Sequence, residues 1–229
     1  RQQGGGSVVK QLENAGNRER ALRLWAERSE WQQAVHALRD ASTCGEPLKL
    51  IQAQASRLLS SLRCGSQWRV ALVIFGGLPA ANIARSPGIY SALMSVLASR
   101  HLWQDSLALL RDAELEGSNL EAATPTLLTS FLDAAVYNSA ITTCARASRW
   151  QWSLWLLAYL RGAADSGRTV RTPAPNAISY NAAIHACERR GLWEQALCLL
   201  ESLSRDLQVR SSSLNVAMSA CEKGQQWQA

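Results

Sequence analysis

Lysine, phenylalanine and long apolar runs are all scarce in this sequence. The 229 residues include two Phe and four Tyr, and only three of the 24 basic residues are Lys. The longest stretch without Asp, Glu, Lys, Arg or His lies between Arg69 and Arg85 and holds 15 residues. A membrane-spanning helix needs ~20 predominantly apolar residues. The sequence therefore predicts no membrane span.

The residues that usually carry chemistry form no catalytic or metal-binding pattern. The six Cys include no C-x-x-C pair, the spacing that structural zinc sites use. His185 and Cys187 are two positions apart, so on a helix they point to different faces and cannot form a Cys–His nucleophile. No Gly-rich loop is followed by the Lys that would hold a phosphate. We therefore expect no enzyme activity, no cofactor, no metal and no small-molecule substrate.

Tryptophan and arginine are the residues that the sequence has in excess. It contains nine Trp, and its net charge is +6. Six of the Trp recur at intervals of 37, 35, 47, 43 and 34 residues, and the segments that end at them align without a gap. The six are Trp31, Trp68, Trp103, Trp150, Trp193 and Trp227. This self-similarity indicates tandem repeats.

Each repeat predicts two short helices. Before the Trp, apolar residues fall at positions i, i+4 and i+7, as in Tyr180, Ile184 and Cys187, which is one stripe of a helix. After the Trp, a small residue such as Ala196 precedes further aliphatic residues and would let the two helices approach closely. A single hairpin of this size cannot bury its stripe, so neighbours must stack. The predicted fold is an all-α solenoid, a superhelix of tandem helix-turn-helix repeats.

The alignment also predicts the domain organisation. A flexible lead-in over residues 1–17 precedes a repeat array over 18–229, with units starting near 18, 55, 90, 137, 180 and 214 and a truncated last unit. Insertions are expected near 113–132 and 162–175. The first would hold a short helix opened by Thr124, and the second would be an exposed loop from Gly162. The periodic Trp are expected in the core, together with Cys144, Cys187 and Cys221.

The later units resemble pentatricopeptide repeats. The resemblance rests on the segments YNSAITTCARASRW and YNAAIHACERRGLW, each followed by an A/S-L-x-L-L helix, and on Pro175-Asn176 at the end of a unit. It covers the chain from about Ala55 onward, and more weakly from Arg18. The resemblance implies sequence-selective binding of single-stranded RNA. It also implies a plastid or mitochondrial location, and a role in RNA processing, stability, editing or translation.

The same resemblance implies which side chains read bases. One set follows the first core residue of each unit: Ser56, Ser91, Asn138, Asn181 and Asn215. The other set closes each unit: Ser86, Asp133, Asn176 and Arg210. An amide has both donors and an acceptor, so it can match a base edge. Similar pairs in the family imply a pyrimidine for Asn138 with Asn176, and a purine for Ser91 with Asp133.

A row of cations accompanies the amides. Arg146, Arg189 and Lys223 each lie nine residues after the first core residue of a unit, which places them roughly 80° around the helix from the Asn positions. Cations in that place would contact phosphates and position the RNA, while the amides specify its bases. The alternative is an ordinary charged surface.

A protein-binding scaffold of tetratricopeptide type is the alternative function. It would be built on the same stacking and would use apolar surface. Trp152 and Trp155 fall outside the periodic register, and they either pack against the insertion from Gly162 or contact a protein partner. An enzyme is the weakest of the three interpretations.

Overall fold

The computed structural model describes residues 33, 36–38, 40, 47–63, 68–81, 83–123, 132–165, 173–206 and 211–224. Over these ranges the regular structure is helical. The predicted lead-in, the helix opened by Thr124 and the closing residue Arg210 lie outside the described residues. So do Trp31 and Trp227, the first and last of the periodic Trp.

The helices follow one another as hairpins. In chain order they are α1 (Leu48–Ser61), α2 (Trp68–Gly77), α3 (Pro87–Ser99), α4 (Trp103–Ala123), α5 (Ala134–Arg146), α6 (Trp150–Asp165), α7 (Ala177–Glu188), α8 (Trp193–Asp206) and α9 (Ser211–Lys223). A 3-10 turn, Pro79–Ala81, follows α2. The second helix of each described hairpin begins at a periodic Trp. The prediction of an all-α repeat fold is confirmed.

Some predicted boundaries differ from the structure. From α3 onward, the first helix of each unit begins three residues before the expected start, at Pro87, Ala134, Ala177 and Ser211. That first turn carries little of the apolar periodicity on which the alignment depends. The expected loop from Gly162 begins instead as helix, because α6 continues to Asp165. Likewise α4 continues to Ala123, through the first part of the other expected insertion.

The chain divides into two compact regions, an N-terminal region Arg1–Val96 and a C-terminal region Leu97–Ala229. The core of the N-terminal region includes the buried side chains of Leu59, Ile74 and Tyr90. Phe75 meets Tyr90 edge-on, with ring centroids 5.1 Å apart.

In the C-terminal region, α7 is the central helix. It packs against α5, α6, α8 and α9. Tyr180 and Ile184 are fully buried along its stripe, as are the equivalent Tyr137 and Ile141 of α5. The small residue predicted three positions after each Trp is also buried, at Ala71, Ser106, Ser153 and Ala196. The stacking of amphipathic hairpins therefore forms the core as expected.

The first helix of three hairpins ends in the same left-handed turn. His101, Ser148 and Gly191 occupy it with φ of 59°, 58° and 67°. The next residue donates its N–H back across the turn, as from Leu192 to the carbonyl of Cys187 (3.0 Å). This is the Schellman motif, which satisfies carbonyls at a helix end. Of the three residues in this conformation, only Gly191 is a glycine.

The periodic Trp were expected in the core, but the four that the structure describes are only half-buried: Trp68, Trp103, Trp150 and Trp193. Each begins the second helix of its hairpin. The ring of Trp193 lies against Gly224, where an added Cβ would come within 2.5 Å of the Trp193 Cδ1 atom. The Trp193 ring therefore fills the space between the start of α8 and the end of α9.

The expected apolar stripe of the last unit is not buried in α9. Leu214 is 45% exposed and Met218 is 63% exposed, while Cys221 is half-buried. In α7 the equivalent residues are Tyr180 and Ile184, which pack in the core of that hairpin. The residues that would begin a second helix after α9 lie outside the described ranges.

None of the helices in the described part of the chain is long and apolar enough to cross a membrane.

Candidate nucleic-acid interface

The residues expected to close each unit stand at the N-termini of helices. Ser86 precedes α3, and its carbonyl accepts from the Tyr90 N–H (3.2 Å). Asp133 is the N-cap of α5, exposed and extended, without a side-chain bond to the helix. Asn176 is the N-cap of α7. Ser, Asp and Asn are the residue types that helix N-caps prefer, so these positions have a structural role as well.

Asn176 makes a complete capping box. Its Oδ1 accepts from the backbone N–H of Ile178 (3.0 Å) and of Ser179 (3.1 Å). The Oγ of Ser179 accepts in return from the Asn176 N–H (3.2 Å). This reciprocal pair satisfies donors that the first turn of α7 would otherwise leave free.

Asn138 lies directly against this cap. Its Nδ2 donates to Asn176 Oδ1 (3.2 Å), and its Oδ1 accepts from Ser179 Oγ (2.5 Å). The side chain is 7% exposed, because the next hairpin covers it. Two residues expected to act on one base are thus in contact, although they are 38 positions apart.

Asn181 repeats part of this arrangement one unit later. Its Oδ1 accepts from Ser213 Oγ (2.6 Å), and Ser213 is buried on α9. Asn215, in the corresponding place on α9, is exposed.

The serines at the same positions use their hydroxyl groups within their own helices. Ser56 Oγ donates to the Ala53 carbonyl (2.9 Å), and Ser91 Oγ donates to the Gly88 carbonyl (3.1 Å). Ser86 is half-buried.

A groove of about 410 Å³ runs between α5 and α7. Its walls include Thr142, Arg146, Ile178, Asn181, His185 and Arg189. Arg146 and Arg189 are both exposed, and Arg189 Nη1 donates to the Arg146 carbonyl (3.1 Å). The structure therefore brings two of the expected cations and one of the expected amides to one groove.

Lys223 is held differently. Its Nζ donates to Glu188 Oε1 (2.7 Å), and the same carboxylate accepts from Ser219 Oγ and contacts the His185 ring. Burial favours a raised pKa for Glu188, but hydrogen bonds from Lys223, Ser219 and His185 outweigh it and lower the pKa to about 2. The charge of Lys223 is thus already neutralised by a carboxylate, whereas within the described ranges Arg189 is bonded to a backbone carbonyl and to no carboxylate.

Three polar residues of this region were missed from the sequence: Ser179, Ser213 and Glu188. A signal for Ser179 was present, because Asn176 and Ser179 stand at the spacing of a capping box. Ser213 shares the register of Ser179, one position before the first core residue of its unit. Glu188 had no signal, since its partners on α9 come close only when the hairpins stack.

Two cysteines of the stripe, Cys144 and Cys187, are core residues as expected, whereas Cys221 is half-buried. Cys144 and Cys187 are fully buried, and burial raises the pKa of Cys144 to about 12 and that of Cys187 to about 11. Thiols with such values are poor nucleophiles and poor metal ligands at neutral pH. Among the described residues, no group of three or more His, Cys, Asp or Glu could hold a metal ion.

An aromatic row lies on the second helices. Trp152 and Trp155 are 42% and 55% exposed. Trp152 lies 6.3 Å from Trp103, and Trp155 is stacked on Tyr159 at 5.6 Å. Tyr159 lies 6.5 Å from Tyr137. Trp152 thus packs α6 against α4, whereas the ring contacts of Trp155 lie within α6.

Comparison with known proteins agrees with this architecture. Residues 178–206 match the sequence profile of the PPR repeat. The chain contains a pentatricopeptide repeat. The matched stretch includes most of α7 and all of α8, so it contains Asn181, His185 and Arg189 of the groove.

Solved pentatricopeptide repeat structures are similar in fold to most of the chain. The pentatricopeptide repeat protein PPR10 from maize matches with a TM-score of 0.65 at 15% identity, covering 94% of this chain and 28% of that one. PPR10 in complex with an 18-nt psaJ RNA element matches with a TM-score of 0.64 at 14% identity, covering 93% and 28%. The chain thus spans little more than a quarter of those proteins. No curated protein sequence matches it.

Proposed function

We propose that this chain binds single-stranded RNA with base selectivity. The observation that carries the proposal is the groove between α5 and α7, where Asn181 lies beside the exposed guanidinium groups of Arg146 and Arg189. The joined pair Asn138 and Asn176 lies on the same first helices. The match to PPR10 bound to RNA supports the proposal at the level of fold.

In this mechanism the two kinds of side chain divide the work. Arg146 and Arg189 contact phosphates, which positions the strand without reading it. The Asn amides hydrogen-bond to base edges. A good base contact contributes ~1–3 kcal/mol of discrimination, so a few units supply modest selectivity.

Selection from a pool of short single-stranded RNAs at two salt concentrations tests this function. We expect a common motif of a few bases, with weaker binding at the higher salt. Asn138→Ala and Asn181→Ala should each relax selection at one position of the motif. Gln195→Ala is the matched control, because Gln195 is an exposed amide on α8 and does not line the groove. A folded, helical chain that selects no motif would contradict base reading.

We further propose a plastid or mitochondrial location, with a role in RNA processing, stability, editing or translation. Only the resemblance of the repeats supports these two points. Fractionation of the source cells with immunodetection of the protein tests the location, and transcript sequencing after loss of the protein tests the role.

Binding of a protein partner is the second candidate function. It is favoured by the exposure of Trp152 and Trp155 on the second helices, away from the groove. Such binding would depend little on salt and would be weakened by Trp155→Ala. An RNA-selective chain whose binding is unchanged by Trp155→Ala would favour the groove as the binding surface.

A further inference from the structure

We infer that Ser179 and Ser213 are positioning residues, each of which orients the base-reading Asn of the preceding unit. This inference rests on the proposed RNA binding and names what determines its selectivity. Both hydroxyl groups come from the unit that follows the Asn, and both are buried. By donating to Oδ1, they would leave the Nδ2 groups of Asn138 and Asn181 to face a base.

The orientation of Asn176 is set by backbone groups. The N–H groups of Ile178 and Ser179 can only donate, and both point at the same side-chain atom of Asn176, at 3.0 and 3.1 Å. That atom must therefore be the acceptor Oδ1. The Nδ2 of Asn176 is consequently turned away from these two N–H groups, and the hydrogen bonds of the Asn176 side chain with other described residues are all made by Oδ1.

The orientation of Asn138 follows from that of Asn176. The side-chain atom of Asn138 that faces Asn176 Oδ1 at 3.2 Å must be a donor, since two facing oxygens would repel. It is therefore Nδ2, and Oδ1 is directed at Ser179. The Oγ of Ser179 accepts from the Asn176 N–H, and two acceptors lie within reach of its single proton: Asn138 Oδ1 at 2.5 Å and Asn176 Oδ1 at 3.2 Å. Asn138 Oδ1 is the nearer of the two, and Asn176 Oδ1 already accepts from three other N–H groups, so the proton goes to Asn138.

The consequence is a site that offers N–H groups. Asn176 Oδ1 is occupied by backbone donors and by Asn138, and Asn138 Oδ1 faces a fully buried hydroxyl. One Nδ2 proton of Asn138 and both Nδ2 protons of Asn176 remain for a ligand. Such a pair recognises a base edge that presents acceptor atoms and disfavours one that presents donors.

The sequence register carries an independent indication. The position of Ser179 and Ser213 is occupied by Ile89 and Val136 in the two units before them. In this register Ile89 corresponds to Ser56 of the preceding unit, and Val136 to Ser91, as Ser179 corresponds to Asn138. The hydroxyl groups of Ser56 and Ser91 bond within their own helices. In these four units, the position therefore holds a serine where the preceding unit has a base-reading Asn, and an aliphatic residue where the preceding unit has a Ser.

Binding of single-base RNA variants by Ser179→Ala and Ser213→Ala tests the inference. Each RNA differs from the selected motif at one base, and the measured quantity is the ratio of Kd values at that base. We expect Ser179→Ala to reduce this ratio about fivefold at the position assigned to Asn138, as loss of one hydrogen bond would, and to leave the position assigned to Asn181 unchanged. Ser213→Ala should do the reverse, so each variant is the control of the other.

Uniform weakening of all RNAs by both variants, with unchanged ratios, would show that the hydroxyl groups only support the fold, and would overturn the inference. Failure of the folded wild-type chain to bind any RNA would instead contradict the proposed function. In that case the side-chain amide signal of Asn138 in NMR still decides the orientation. It should shift and exchange faster in Ser179→Ala, with Asn215 as the exposed reference amide, and an unchanged signal would overturn the inference.

Discussion

Two buried serines of the C-terminal region occupy the same position in successive hairpins but differ in their hydrogen bonds. Ser106 and Ser153 each follow a Trp by three positions, and both are 0% exposed. Ser153 Oγ donates to the Ile141 carbonyl (3.2 Å). Ser106 Oγ has no hydrogen-bond partner among the described residues. Burying a polar group without a partner is unfavourable, whereas burying a bonded one is close to neutral or better.

Replacing these serines by alanine should therefore have opposite effects. Ser106→Ala should raise the free energy of unfolding by about 1 kcal/mol, since it removes an unpaired hydroxyl, and Ser153→Ala should lower it by about 1 kcal/mol. Urea denaturation followed by circular dichroism measures both. A loss of stability in Ser106→Ala would mean that its hydroxyl has a partner, such as an ordered water.

Glu188 joins two helices through its carboxylate. It belongs to α7, while Ser219 and Lys223 belong to α9. Because these hydrogen bonds favour the ionised form, the pKa of Glu188 falls to about 2. A carboxyl group whose pKa is lowered in the folded state stabilises that state above its unfolded pKa.

The contribution of Glu188 should accordingly disappear in acid. It is complete above the ordinary value of 4.5 and is lost as the pH falls towards about 2. Glu188→Gln should thus be less stable than the wild type at neutral pH, and the two curves should converge as the pH falls below about 4. Urea titrations of both chains at a series of pH values measure the difference. A difference independent of pH would show that the charge of Glu188 does not stabilise the fold.

At the level of elements, one position in the turn between the two helices of a hairpin requires a left-handed backbone conformation, which favours glycine. The left-handed conformation costs non-Gly residues energy through a clash of Cβ with the carbonyl. Gly191 avoids this cost, whereas His101 and Ser148 adopt the same φ with a side chain. The Gly191 site has room for a methyl group, whose nearest contact would be the Lys223 carbonyl at 3.6 Å. The effect of a substitution there therefore comes from the backbone.

Exchanging residues at these turns should change stability in both directions. Gly191→Ala should lower the free energy of unfolding by about 1 kcal/mol, and Ser148→Gly should raise it by roughly 0.5–1 kcal/mol. Thermal denaturation of the two variants compares them directly. Equal effects of the same sign would contradict the role of the left-handed turn.

For the whole molecule, the net charge of +6 favours a polyanionic partner. A Lys or Arg side chain can attract a phosphate strongly only where its charge is not already paired with a carboxylate. Arg146 and Arg189 are exposed at the groove, whereas Lys223 is paired with Glu188, and Arg205 on α8 is paired with Glu201.

The salt dependence of RNA binding should distinguish these cations. Each phosphate contact to single-stranded RNA adds roughly 0.7 to the slope of log Kd against log salt. Arg146→Ala and Arg189→Ala should each reduce the slope by about that amount. Lys223→Ala should reduce it less, and Arg205→Ala should leave it unchanged. Affinities of the four variants across a salt series provide the slopes, and equal slopes for all four would exclude a localised phosphate row.

Much of the architecture could be predicted from the sequence. The stripe of Tyr180, Ile184 and Cys187 lies along one helix, and a buried small residue follows each described periodic Trp by three positions. Such signals are local, so periodicity alone reveals them. The exposure of Trp193 and of Met218 could not be predicted in this way, because it depends on what the neighbouring hairpin covers.

The sequence by itself determined the repeat, the two helices of each unit and the all-α class, because apolar periodicity acts over a few residues. Only the tertiary structure decided how the polar side chains pair. Ser179 reaches Asn138 across 41 positions, and Lys223 reaches Glu188 across 35. Those contacts exist because stacking brings equivalent turns of successive hairpins together, and the direction of each amide follows from the fixed backbone donors around it.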